Sequence, residues 1–146
     1  MNYDEKMNTT RRDLAAVLAL LATKTTEAAE RKNLPSLTYK FEDLPVKKNG
    51  ENRSRDVFDG LNRAGFQLDI HETELAPGLA PHAAHRHIHE EILMVREGSI
   101  EVTIEGKVTT ATPGSVVYVA SNDLHGWKNA GVTRAHYFVM AIGRES

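Results

Sequence analysis

Three imidazoles and one carboxylate stand at spacings that suit a metal ion: His85-x-His87-x-x-x-Glu91, with His125 further along the chain. Nitrogen and oxygen donors of this kind hold divalent transition ions. The chain has no cysteine, which removes thiolate ligands, disulfides and a cysteine nucleophile together. One divalent ion among iron, manganese, nickel, zinc and copper is therefore the expected cofactor, with His85, His87, Glu91 and His125 as its ligands. Side chains of an extended segment alternate faces, so positions 85, 87 and 91 are expected to project from one wall. That wall leaves the remaining positions to a distant ligand, to water or to substrate. A six-coordinate ion with these four donors keeps two positions free, enough for a bidentate substrate or for substrate plus dioxygen.

The elements that must position these side chains read as short strands. Thr38 to Phe41 reads as a strand, and Phe66 to Ile70 alternates apolar and polar residues as a half-buried strand should. Glu91 to Glu97 and Ile100 to Glu105 flank Gly98-Ser99 and read as a hairpin. Gly106 breaks the chain before Lys107 to Ala111. Val116 to Val119 and Arg134 to Ile142 complete the set. Many short strands separated by turn residues indicate an all-β sandwich or barrel. Glu42 to Asp56 is polar, with Asn49-Gly50 as a turn signal. The stretch from Asn49 to Arg55 reads as a dimer-exchange arm or a pocket lid.

A chain of 146 residues is long enough for one domain with a sizeable core. Residues 1–33 differ from 34–146, which hold the barrel. Arg11-Arg12 precedes the apolar run Leu14 to Ala22, the pattern of a twin-arginine export signal. An ordinary helix capped by Thr10 fits the same residues. The first reading places the protein in the periplasm or outside the cell, the second in the cytoplasm. Nine apolar residues are too few to span a bilayer as a helix. A net charge of −2 gives no general attraction to nucleic acid.

The stretch from Gly78 to Gly98, with His85, His87 and Glu91 between, resembles the first conserved motif of the cupins. Six residues separate Glu91 from Gly98, as that motif requires, and Gly78 stands one residue further from His85 than is usual. Gly114 to Asn129 resembles the second motif, with His125 at the ligand position. Ala120 replaces the usual proline and Asn122 the usual glycine. Asn tolerates positive φ better than most residues, so a turn at Asn122 is expected. The resemblance covers about residues 66 to 142. It implies a double-stranded β-helix, or jelly-roll, barrel that is often a homodimer. Cupins include dioxygenases, isomerases, decarboxylases, sugar-binding sensors and storage proteins. The chain is accordingly expected to be a metal-dependent oxygenase, or an isomerase or lyase, acting on a small oxygenated or anionic molecule. The alternative is a non-catalytic small-ligand or metal-sensing protein on the same barrel.

The remaining polar residues have ordinary structural readings. His89 has the parity of His85 and His87, so His87-x-His89 is a competing pair. The spacing to Gly98 favours the first pair and makes His89 a rim or supporting group. Glu90, of opposite parity, reads as a solvated charge or an ion-pair partner. His82 is expected at the surface or the rim of the site rather than as a ligand. His71 and His136 are expected to be satisfied structural histidines, with a supporting role near the site as the alternative. Glu72 and Glu74 read as a solvated face, and Arg53 and Arg55 as surface charges. Trp127 is expected either to line a pocket mouth or to cover the barrel end.

Overall fold

The computed structural model describes residues 33–143. The export-signal and helix readings of Arg11 to Ala22 lie outside the described residues. Nine strands follow a short 3₁₀ turn at Phe41–Asp43: β1 (Lys47–Asn49), β2 (Asn52–Leu61), β3 (Gln67–Leu75), β4 (Glu90–Glu97), β5 (Ile100–Ile104), β6 (Lys107–Ala111), β7 (Val116–Val119), β8 (His125–Asn129) and β9 (Ala135–Ile142). Two antiparallel sheets result, one ordered β1-β2-β3-β9-β4-β7 and the other β6-β5-β8. Leu75, Leu93, Val95, Tyr137 and Val139 of the large sheet meet Ile100, Val102, Ala111 and Trp127 of the small one in a single buried cluster. Among the described residues, no helix is long and apolar enough to cross a membrane.

Strand alternation builds this core. In β4 the odd positions Glu91, Leu93 and Val95 are buried, while Glu90, Ile92 and Met94 between them are half-exposed. The last inward position of an apolar row is therefore a carboxylate. In β8 the same alternation buries His125, Trp127 and Asn129.

Three local expectations are corrected. Thr38 to Phe41 is not a strand; the backbone N–H of Asp43 donates to the Lys40 carbonyl at 3.0 Å, closing the 3₁₀ turn. Gly98-Ser99 does not close a hairpin. Strand β4 is paired on both edges, by β9 and β7, so β5 has no edge to join and enters the other sheet. At Gly98 (φ +80°) an added Cβ would lie 2.7 Å from the Ala135 Cα, so the crossing needs glycine. The true hairpin joins β5 to β6 at Glu105-Gly106, both at positive φ, as the twist of a two-residue turn demands. Asn49 to Arg55 is not a free arm: it forms the β1–β2 turn and the start of the β2–β3 ladder.

Candidate metal centre

Each of the four expected donors is delivered by a different local device. Glu91 comes from the inward face of β4. His125 opens β8 on the opposite sheet. His85 is held beside it by a reciprocal backbone pair, with both N–H groups donating to the partner's carbonyl at 3.0 Å. His87 lies in the loop before β4, where the chain bends at Ile88 and His89. The expectation that positions 85, 87 and 91 share one extended wall is thus corrected. The bend breaks the parity, and the four side chains converge from both sheets.

Glu91 Oε1 lies 3.2 Å from His87 Nε2, and Glu91 Oε2 lies 3.3 Å from His125 Nε2. The donor atoms of His85, His87 and His125 all lie within 4.8 Å of one another. Among the described residues, the buried side-chain polar atoms that lack a hydrogen bond are His85 Nδ1, His87 Nε2, Glu91 Oε2 and His125 Nε2. Buried polar atoms are almost always partnered, because desolvation without a partner costs kcal/mol each. Four such atoms, three imidazole nitrogens and one carboxylate oxygen gathered in one cluster, suit a cation.

The protonation states agree. His87 Nδ1 lies 2.8 Å from the His89 carbonyl, and His125 Nδ1 lies 2.8 Å from the Asp123 carbonyl. A carbonyl only accepts, so each Nδ1 donates, which in the neutral ring makes Nε2 the nitrogen that offers a lone pair to a metal. Burial pulls the pKa of His85 below its ordinary value. The neighbouring His82, His125 and His87 push the same way, and Glu91 opposes them. The shift favours the neutral imidazole, the form that binds metal.

Supporting groups surround the four. The ring of His89 stacks on that of His87 at 3.6 Å between centroids, and its Nε2 is 3.5 Å from Glu91 Oε1. With His87 and Glu91 it makes a second, overlapping set of donors. His82 meets His85 edge to face at 4.4 Å. Trp127 is buried against His125 and donates its indole N–H to the Tyr137 hydroxyl at 2.9 Å. It belongs to the interior and lines the larger of two cavities, rather than capping the barrel end. Burial raises the Tyr137 hydroxyl pKa far above its ordinary range.

One support has no sequence signal. Arg86 donates to Glu105 Oε1 at 2.6 Å and also to the Asn122 carbonyl, and the backbone N–H of Leu124 donates to the same Glu105 oxygen at 2.6 Å. The Asn122 N–H donates to the His87 carbonyl at 2.8 Å, and Asn122 takes φ +64° as its turn requires. Glu105 thereby ties the His85–His87 loop to the His125 loop. Those bonds, from Leu124 and then Arg86, hold its carboxyl below its ordinary pKa.

The other singled-out residues divide. His136 pairs with Glu72 at 2.9 Å, and both are buried. Arg55 is buried and bonded to Glu74 at 2.5 Å, under a cation–π contact with Phe41 at 4.1 Å. Glu72, Glu74 and Arg55 are therefore not solvated charges, because the outer face of β3 is partly covered. Burial alone would raise Glu74, but Arg55, His136 and Arg53 together hold it below its ordinary value. Glu90 turns to the outer face beside Tyr118 and raises that hydroxyl's pKa. His71 lies on the inward face of β3.

Two cavities open on the interior. One of about 330 Å³ is lined by residues that include Lys47, Asn52, Asp56, His71, His82, Trp127 and Tyr137. The other, of about 140 Å³, is lined by Asp59, Gln67, Asp69, His71, His89 and Glu91, with Ala141 and Gly143.

Residues 71–141 match the Cupin domain family. Solved cupins share the architecture. An RmlC-like cupin from Shewanella frigidimarina superposes with a TM-score of 0.63 at 18% identity, over 76% of this chain and 93% of that one. The chain belongs to the cupin superfamily. KdgF from a Halomonas species gives 0.64 at 16% identity, over 75% and 96%. The polyketide cyclase RemF from Streptomyces resistomycificus gives 0.61 at 19%, over 77% and 81%. At these identities the likeness concerns the fold. No curated protein matches the sequence.

Proposed function

We propose that this cupin holds one divalent transition ion through His85, His87, Glu91 and His125, and presents it to a small oxygenated ligand. The observation that carries the reading is the set of four buried donor atoms without hydrogen-bond partners, one from each of these residues. Bound there, the ion would supply Lewis acidity toward an oxygen of the ligand. The chain's own residues do the rest. His89 and Asp123 carbonyls fix the tautomers of His87 and His125, Trp127 walls the centre with an apolar face, and Glu91 balances the charge of the ion. The larger cavity has the size of a small-molecule site. Its lining mixes amide, hydroxyl and paired charge (Asp56 is ion-paired with Lys47) with two aromatic rings. That mixture suits an oxygenated molecule better than a hydrocarbon.

Elemental analysis of unchelated protein tests the reading. About one divalent ion per chain is expected, lost in His87→Ala because three remaining donors leave a weak, open site. Equal metal content in native protein and variant would remove the assignment.

We also infer a homodimer. Phe58, Ile70, Met140, Ile92 and Tyr118 stand in register across β2, β3, β9, β4 and β7. They form an apolar row on the outer face of the large sheet, away from the centre, and remain half-exposed to exposed. A flat row of this kind is complementary to its own copy about a two-fold axis.

A further inference from the structure

We infer that His71, steadied by Asp69, is the acid–base residue for an oxygen ligand held at the centre; this rests on the metal reading above. Positions 69, 71, 73 and 75 of β3 share the inward face, and Thr73 and Leu75 are buried on it. His71 lines both interior cavities, the larger with Thr73 and Tyr137 and the smaller with Asp69, His89 and Glu91. A ligand that extends from the larger cavity toward Glu91 therefore passes the His71 ring.

The ring is bonded on one side only. Nδ1 faces Asp69 Oδ1 at 3.4 Å, and among the described residues the ring has no other hydrogen-bond partner. A purely structural histidine looks different here: His136 is buried, with its Nε2 on Glu72 at 2.9 Å, whereas the His71 side chain keeps 35% exposure. The groups around His71 leave its free nitrogen to a ligand. Opposite it on β2 stands Asp56, neutralised by Lys47. Opposite it on β9 stands the apolar Val139. Glu91 and His89 share the smaller cavity and belong to the centre.

The step is a proton transfer. The ligand's O–H bond breaks, a bond forms from its proton to His71 Nε2, and the electron pair stays on the oxygen. The imidazolium so formed faces the Asp69 carboxylate, which stabilises it and orients the ring. No oxidant or reductant is needed, and the reverse transfer returns the proton. Such a group separates an isomerase or lyase from a barrel that only binds.

Acetohydroxamic acid is a suitable probe, because it is neutral in solution and chelates as an anion. Calorimetric titration into the cobalt(II)-loaded full chain, in two buffers of different ionisation enthalpy, counts the protons released. Native protein is expected to release almost none, and His71→Gln about one per hydroxamate bound. Asp69→Asn is expected to fall between them and serves as the comparison should His71→Gln fail to load. Equal release from native protein and the loaded variant overturns the inference, as does a failure of native, cobalt-loaded protein to bind the hydroxamate. A native chain that takes up no cobalt overturns the metal reading itself, a different result.

Discussion

Glu105 accepts hydrogen bonds from two loops at once, through Arg86 and the Leu124 backbone. Each loop carries ligand candidates on either side of that tie: His85 and His87 flank Arg86, and His125 follows Leu124. Groups that orient ligands without touching the metal commonly change affinity by an order of magnitude or more. Glu105→Gln is expected to keep the fold but lower affinity for zinc on the order of tenfold, read by competition with a chromophoric chelator. Thermal melting of the metal-free variant should stay near that of native protein, since the side chains concerned are exposed. An unchanged zinc affinity would show that the tie is incidental. At this scale the sequence is only partly informative. His85, His87, Glu91 and His125 were legible from type and spacing, whereas Arg86 and Glu105, 19 residues apart, meet only because the chain folds back on itself.

At the scale of elements, the crossing from β4 to β5 sets the geometry of the centre. It sends one strand into each sheet, so Glu91 on β4 can face His125 on β8. Gly98 makes the crossing, and any side chain there meets Ala135 at the start of β9. Gly98→Ala should therefore cost at least the ~1–3 kcal/mol of a strained positive-φ residue, with the clash added. Gly114→Ala, also at positive φ but with nothing within 4 Å of its added Cβ, should cost only the conformational part. Urea unfolding of both variants checks this, and equal losses would contradict the contact. The same crossing explains why a run-turn-run pattern misleads. Turn residues mark where a strand ends; which edge the next strand finds depends on edges already occupied, here by β7 and β9.

For the whole molecule, the two sheets enclose a core whose inner end is polar. Leu93, Ile100 and Val102 close one part, and the four donors and two cavities occupy the other. The outer face of the large sheet carries the apolar row proposed as a dimer contact. Ile92→Glu would place a charge within that row, between Met140 and Tyr118 on the neighbouring strands. Sedimentation should then show native protein as a dimer and the variant as a folded monomer; a monomeric native protein removes the proposal.

Strand alternation and turn residues indicated an all-β domain and most strand positions, and donor chemistry together with cupin-like spacing indicated four residues that suit a metal. Those features are local: side-chain type, a period of two, and glycine or asparagine where φ must be positive. The arrangement of donors was not local. A bend at Ile88–His89, a backbone pairing between His85 and His125, and a strand that changes sheets brought them together from two walls. Tertiary structure likewise decided that His71 faces the cavities while His136 is buried against Glu72, because a strand's register with its neighbours determines which of its two faces becomes the interior.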